Sequence, residues 1–597
     1  MPTMRISVPV RLMVFTAVLY LPFLGQAFHI DDRIYLEVAD QIRETPFFPY
    51  DYQVLFEGIW SPDAASHSHL PLLSYWIALV QVLSGSRSEW VMHLAFLPFA
   101  LLAVWAFYDI ARRYLRFPAA AGALLAASPA FLVLSHTLMA DVPLLAFWLG
   151  TMAFYLRLAD QGAPRSALWG CLLCLLASAF LSLLSGGLLL LMAAWWLIAG
   201  WKKLPRVPGR LLLLLLAAPL VLWTAWYLRA WLHYDRMVLI NTMLHMEKRQ
   251  IFQWHVFGVK SLSFILNLGA VFLFPLALCN AWARQWSGRL TLLLFFLSPV
   301  PFALWIEDWT WQQVLLFAAF FSSGLLALGT LLSVPLRMPV CHPGFSRLSA
   351  EDFKPSQARA SSHPALAADP PDDAWQEGLS LLSFLWFAGI LAAAMLLYYA
   401  GSARYVLLAA PPVILLWIKY LECRVLYNDY LLRNLVWLGF ALTLPYGLWI
   451  AWGDYQFAEM YRRGADQMVE RYTRTGRTLW FTAEWGLRYY LSQRGARPLP
   501  RVDAGPRAGD VLFKPYVASP WRTLYDGEEH IEFIGRHALE VPTRLRLLDY
   551  RSHAAFYSTG WGILPWSLGE GEPWEWIYVY RVKQAYSGPI PEQPRHY

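Results

Sequence analysis

Apolar runs alternate with short polar breaks almost from the start of the chain. Leu12 to Phe28 forms the first run, preceded by Arg5 and Arg11. Others follow at 91–110, 118–138, 143–157, 167–184, 187–200, 211–229, 261–283, 291–306, 312–335, 379–399, 405–421 and 434–452. A bilayer is crossed by about 20 apolar residues, so these runs predict about 13 transmembrane helices. The break at Ser185-Gly186-Gly187 is the weakest, since 167–200 also reads as one long segment. Between the first two runs lies a loop too long to be a simple connection. Within it Ile34, Val38 and Ile42 recur at helical spacing, with Glu37, Asp40 and Arg43 turned away, which predicts a helix lying on the membrane surface. Pro71–Leu83 is apolar but short, a second such helix.

Two stretches break the pattern. Residues 337–378 are rich in Pro, Ala and Ser and lack periodicity, as a cytoplasmic linker would. After Gly453 charged residues become frequent: 478–482, 510–514 and 576–580 predict strands, and Gly486–Gln493 a helix stopped by Gly495. The expected fold class is therefore an α-helical polytopic membrane protein with a small C-terminal α/β domain. Its expected parts are a membrane domain over 1–453, containing an outer loop at 29–90, and an extracytoplasmic domain over 454–597.

Composition agrees: 58% of residues are hydrophobic and 15% charged, with mean hydropathy +0.40, against roughly 25% charged in soluble proteins. The net charge of +7 comes with no nucleic-acid motif. It sits in alternate loops, at Arg112/Arg113/Arg116, Arg157/Arg165, Lys202/Lys203/Arg206/Arg210, Arg284/Arg289, Arg337/Arg347 and Lys419/Arg424. Positive loops stay in the cytoplasm, which places the N-terminus inside and the long acidic loop and C-terminus outside. Cys171-Leu-Leu-Cys174 lies within an apolar run, where cysteine acts as a small core residue.

The ionisable groups collect on the outer side: Asp31, Asp32, His67, His69, Asp141, His245, Arg249, His255 and Arg404. The spans carry almost none. A transporter or lipid flippase, the alternative function, would place charges mid-span and often repeat its halves. A reaction at the outer surface suits this pattern better. Each candidate also has a plainer reading: Asp31-Asp32 as a polar helix end, Asp141 as a helix cap, Arg404 as an interfacial anchor, and His67 and His69 as loop residues. Those two histidines otherwise offer ligands for a divalent metal ion beside Asp31 or Asp141. Trp561, Trp566, Trp574 and Trp576 suit sugar faces, a membrane surface or a small β core.

Three motifs carry a family resemblance in their order along the chain: Asp31-Asp32-Arg-Ile-Tyr35-Leu-Glu37, Pro71-Leu-Leu-Ser-Tyr75-Trp76 and Leu138-Met-Ala-Asp141-Val-Pro-Leu144. They resemble the GT-C glycosyltransferases that use polyprenyl-phosphate sugars, among them the protein O-mannosyltransferases and the bacterial lipid A aminoarabinose transferases. His245, Arg249 and His255, and the turn Ser402-Ala-Arg404-Tyr405 before Pro411-Pro412, resemble later motifs of the bacterial branch. Two places depart from that branch: His69-Leu70 stands where an acidic-basic pair is common, and Leu-Ser-Gly-Gly where Lys-Gly is. The resemblance implies a polyprenyl-phosphate sugar donor, a hydroxyl acceptor on lipid A, a surface glycan or a protein, and a bilayer as partner. It implies a catalytic Asp among Asp31, Asp32 and Asp141, and phosphate contacts from Arg404, Arg249 and Tyr405, with Tyr35, His245 and His255 nearby. An oligosaccharide polymerase or ligase fits those motifs less well. The absence of an Asn-x-Ser/Thr sequon leans towards a bacterial inner membrane.

Overall fold

The structure is a computed structural model that describes residues 6–585, apart from 57–58, 62–69, 161, 235–252, 283–285, 306–308, 338–372, 398–400, 425–427, 474–475, 501–504 and 520–529. Helices occupy every segment expected to span. Among the described residues, 7 helices are long and apolar enough to cross a membrane, the longest being Asp429–Thr473. The shortfall from the expected count lies in short or broken helices. The 118–138 run is two helices, Pro118–Ala127 and Pro129–Leu134, because Ser128 precedes a proline and is held extended. Proline also interrupts the expected 261–283 and 291–306 spans: helices end at Val271 and Leu297 and resume beside Pro275 and Pro299. The 405–421 run is split into Ala403–Leu407 and Ala410–Arg424. The break near Gly186 is real but earlier, with Ser182 extended between helices Arg165–Leu181 and Ser185–Trp201.

Loops predicted to share a side do touch. Arg157 and Arg112 both reach Asp109, at 2.7 and 2.8 Å. Arg113 pairs with Asp160 at 2.8 Å, and Arg116 donates its backbone N–H to Glu422 at 2.7 Å. Arg157 lies in the last turn of the 18-residue helix Asp141–Leu158, about 24 Å from Asp141 at ~1.5 Å per residue. The basic belt and the candidate acids therefore stand at opposite ends of the bundle.

The predicted surface helices form at Asp32–Glu44 and Leu72–Ser84; the first buries Tyr35, Leu36, Val38, Ala39 and Ile42. The linker at 337–378 falls almost wholly outside the described residues. The expected boundary at 453/454 lies within the unbroken helix Asp429–Thr473, so the tail is carried on a rigid extension of a span. Beyond it a 5-stranded mixed sheet runs in the order 497–498, 479–481, 511–515, 575–582, 531–539. The first three strands are parallel, joined through helix Trp485–Gln493, and 575–582 pairs antiparallel with both its neighbours. That helix packs on the segment that follows the first helix: Phe28 donates its N–H to the Tyr490 hydroxyl at 2.8 Å, and a Cβ at Gly486 would collide with the Phe28 carbonyl.

Candidate active site

The chain leaves its first helix through the 3-10 turn Leu21–Phe23 and reaches Ile30, whose φ is +50°. A β-branched residue in the left-handed region costs of order 1–3 kcal/mol and persists only where its surroundings enforce it. Asp32 is part of that enforcement. Its buried carboxylate accepts the backbone N–H of His29 at 3.0 Å and that of Leu138 at 2.7 Å. Burial pushes the Asp32 carboxyl up to about 7, against the pull of His29 and those two N–H donors. The adjacent acids thus part company. Asp32 turns inward and ties two loops together; Asp31 occupies the N-cap position with its side chain 36% exposed.

Asp31 meets two groups that lie far away in sequence. Arg404 Nη1 donates to Asp31 Oδ2 at 3.1 Å, and Arg404 Nε donates to Asp141 Oδ2 at 3.2 Å. Asp141 is the first residue of helix Asp141–Leu158, one past the N-cap Ala140, so its carboxylate meets the guanidinium while still favourably placed at a helix N-terminus. Arg404 is fixed from behind: Ser402 caps its short helix by accepting the Arg404 N–H, and Ala403 donates to the Phe556 carbonyl of the tail. Buried Tyr35 interacts electrostatically with Arg404, Asp141 and Asp31, and Tyr405 with Arg404. One guanidinium between two partly exposed carboxylates can exchange a carboxylate for a phosphate, because Nη2 takes part in neither ion pair and the fork geometry suits both anions.

A second, fully buried chain of polar groups lies under the same turn. His29 Nε2 is 3.0 Å from Asp454 Oδ2, which also accepts from Gln26 Nε2 at 2.9 Å; Tyr557 donates to Asp454 Oδ1 at 2.7 Å. Burial disfavours a charge on His29, yet Asp454 and Asp32 hold its pKa above the ordinary value. Next to it Arg33 bridges Glu37 at 2.8 Å and Glu484 at 3.2 Å, and Arg488 binds Glu484 at 2.8 Å. The tail is therefore tied to the acidic turn by ion pairs. Sequence reasoning passed over Asp454, Tyr557 and Glu484. The one signal available was an isolated acid, Asp454, directly after the last apolar run.

The remaining candidates are not gathered in. His255 is exposed at the start of helix Trp254–Val271 and has no bond to Asp31, Asp141 or Arg404. His67, His69, His245 and Arg249 lie outside the described residues. No group of three or more His, Cys, Asp or Glu side chains among the described residues could hold a metal ion. A divalent ion at Asp31 and Asp141 would have to displace Arg404, so the donor set as placed suits an anion better than a cation.

Residues 66–226 match the model of the dolichyl-phosphate-mannose-protein mannosyltransferase family. The match includes Asp141 and stops short of Asp31 and Arg404. It agrees with the resemblance to polyprenyl-phosphate-sugar transferases seen in the sequence. No curated protein matches the chain. Among solved structures, the chain is similar to ArnT from Cupriavidus metallidurans bound to undecaprenyl phosphate, at 13% identity and a TM-score of 0.42, covering 96% of this chain and 97% of that one. The apo form of the same protein gives 14% identity and 0.39 over 85% and 95%. Archaeal oligosaccharyltransferase AglB from Archaeoglobus fulgidus, in complex with an inhibitory peptide and a dolichol-phosphate, gives 12% and 0.42 over 82% and 64%.

Proposed function

We propose that this protein is a membrane glycosyltransferase that moves a sugar from a polyprenyl-phosphate donor to an acceptor hydroxyl. The observation that carries the reading is the Asp31–Arg404–Asp141 cluster at one end of the helical bundle, supported by the family match over 66–226. In this reading the cluster faces the outside of a bacterial inner membrane, the N-terminus is cytoplasmic, and the tail from 454 onward lies over the site.

The donor phosphate displaces Asp31 from Arg404 and takes its place on the guanidinium. The freed Asp31 carboxylate then accepts the proton of the acceptor hydroxyl as the oxygen attacks the anomeric carbon. The new glycosidic C–O bond forms while the anomeric carbon–phosphate oxygen bond breaks, and the electron pair leaves on the phosphate. Arg404 stabilises that developing charge, and Asp141 keeps the guanidinium in place. Asp32 acts as a positioning residue, through the strained Ile30 turn. One displacement of this kind inverts the anomeric centre.

The test of the phosphate role is Arg404→Ala with polyprenyl phosphate as the probe. Hydrogen bonds to charged groups contribute about 1.5–3 kcal/mol, so affinity should fall roughly 10- to 100-fold while the purified chain stays folded. An unchanged affinity would remove Arg404 from the site.

A further inference from the structure

The four tail tryptophans singled out in the sequence have separate fates. Trp574 is fully buried and stacked on Phe457 at 4.7 Å. Trp566 packs on Trp449 and Phe320, at 5.0 and 5.1 Å. Trp576 lies on the sheet under Arg536. These three are accounted for by packing. Trp561 is not. It is partly exposed, yet its indole N–H is buried without a hydrogen-bond partner among the described residues, and an indole nitrogen can only donate. Trp148, Trp195, Trp386 and Trp417 share that feature but sit within the helical bundle.

Trp561 faces Trp485 at 5.0 Å between ring centroids and Tyr550 at 5.4 Å. Trp485 has φ +57°, a left-handed backbone that a bulky aromatic residue adopts only at a cost. Both rings stand on the backbones that carry the candidate site. Trp485 precedes Gly486, which abuts Phe28 and His29, just before Asp31. Trp561 follows Thr559, which exchanges hydrogen bonds of 3.1 Å with Gly401, just before Arg404. Asp31 and Arg404 are themselves 3.1 Å apart, so the two rings stand on the two tail segments that pack against the backbone on either side of the cluster.

We infer that Trp485 and Trp561 form a pyranose-binding wall of the active site, with the Trp561 N–H donating to a sugar hydroxyl. This rests on the transferase reading. A pyranose has an apolar face that suits an aromatic ring and hydroxyls that suit an unsatisfied donor. The strain at Trp485 is then used to present its ring. The sugar is either the acceptor's or the donor's, and the two leave different signatures.

The experiment uses the full chain in detergent. Saturation-transfer NMR titrations would be run with methyl glucoside, methyl N-acetylglucosaminide and methyl mannoside, and with polyprenyl phosphate and polyprenyl-phosphate-glucose, on wild type and Trp561→Ala. An aromatic contact of this kind is worth about three- to tenfold in affinity. A loss confined to the glycosides assigns the wall to the acceptor sugar. A loss for the lipid phosphosugar but not the bare lipid phosphate assigns it to the donor sugar. Unchanged affinities, no glycoside or sugar-dependent binding by wild type, or an equal loss for both lipids overturns the inference. If Trp561→Ala does not fold, Trp561→Phe carries the test, with about a threefold loss expected from the missing N–H and wild-type affinity contradicting it. Trp576→Ala should bind as wild type. Bare polyprenyl phosphate on Arg404→Ala reads the transferase proposal separately, so either idea can fail alone.

Discussion

Replacing Asp454 by asparagine keeps the shape of the side chain and removes the charge under the acidic turn. Three donors converge on that carboxylate: His29 at 3.0 Å, Gln26 at 2.9 Å and Tyr557 at 2.7 Å, all buried. Bonds to a charged acceptor contribute about 1.5–3 kcal/mol each, against about 0.5–1.5 for neutral ones. Neutralising the acceptor therefore costs roughly 1 kcal/mol per bond, or about 2–4 kcal/mol in all. His29 also loses its larger source of positive-charge stabilisation, and burial then favours its neutral form. The turn through Ile30 sits directly above, so Asp31 shifts relative to Arg404. A misplacement of about 1 Å at a reacting group costs roughly 100-fold in rate. Unfolding of the purified variant in detergent, followed by fluorescence, should show the stability loss. Transfer from a labelled lipid phosphosugar should fall at nearly unchanged polyprenyl-phosphate affinity. Wild-type stability together with wild-type turnover would refute the view that this buried chain supports the site.

The same groups set a pH dependence. The folded His29 pKa is raised above its ordinary 6.5, so its stabilisation is full below that value and lost as pH rises through the folded value. Asp32 at about 7 is also raised, from 3.8. The folded state then keeps a proton that the unfolded chain has released, and stability falls as pH rises between those two values. Both act in one direction: thermal stability should drop from pH 5.5 to 8.5, and His29→Gln should flatten the drop; an equally steep profile in the variant would count against the assignment. A different change probes the bundle. Helices Trp254–Val271 and Trp311–Arg337 cross where a Cβ at Gly324 would collide with the Ile265 carbonyl, as small residues allow in membrane helices. Gly324→Val should cost about 1–3 kcal/mol, seen as a lower unfolding temperature, and an unaltered one would show that the helices do not approach this closely.

What could be read in the sequence was whatever is local. Apolar runs marked every span-sized helix, because hydrocarbon demands a continuous apolar surface. Alternation of basic loops anticipated which loops touch, as Arg157–Asp109 and Arg116–Glu422 show. Prolines that break 118–138 and 291–306 were visible too, but membrane helices often absorb them, so composition alone did not decide. The candidate cluster was legible in part. Asp31, Asp141 and Arg404 each mark a span end on one side, which is a one-dimensional property. Their convergence on a single guanidinium is a three-dimensional one. The division between Asp31 and Asp32 depends on a φ of +50° at Ile30 that no periodicity predicts. Asp454 and Tyr557 stayed hidden because their partner His29 lies 425 and 528 residues away, and nothing local marks such a pairing.

The most direct measurement is single-turnover transfer in proteoliposomes, with polyprenyl-phosphate-[14C]glucose or its mannose counterpart and envelope extract as acceptor, for wild type and Asp31→Asn. The account predicts that Asp31→Asn binds polyprenyl phosphate at least as tightly as wild type, since Arg404 is released from one carboxylate. It also predicts that the label reaches acceptor at least about 100-fold more slowly, the lower end of the range for losing a general base. Label transferred by Asp31→Asn at the wild-type rate would contradict it.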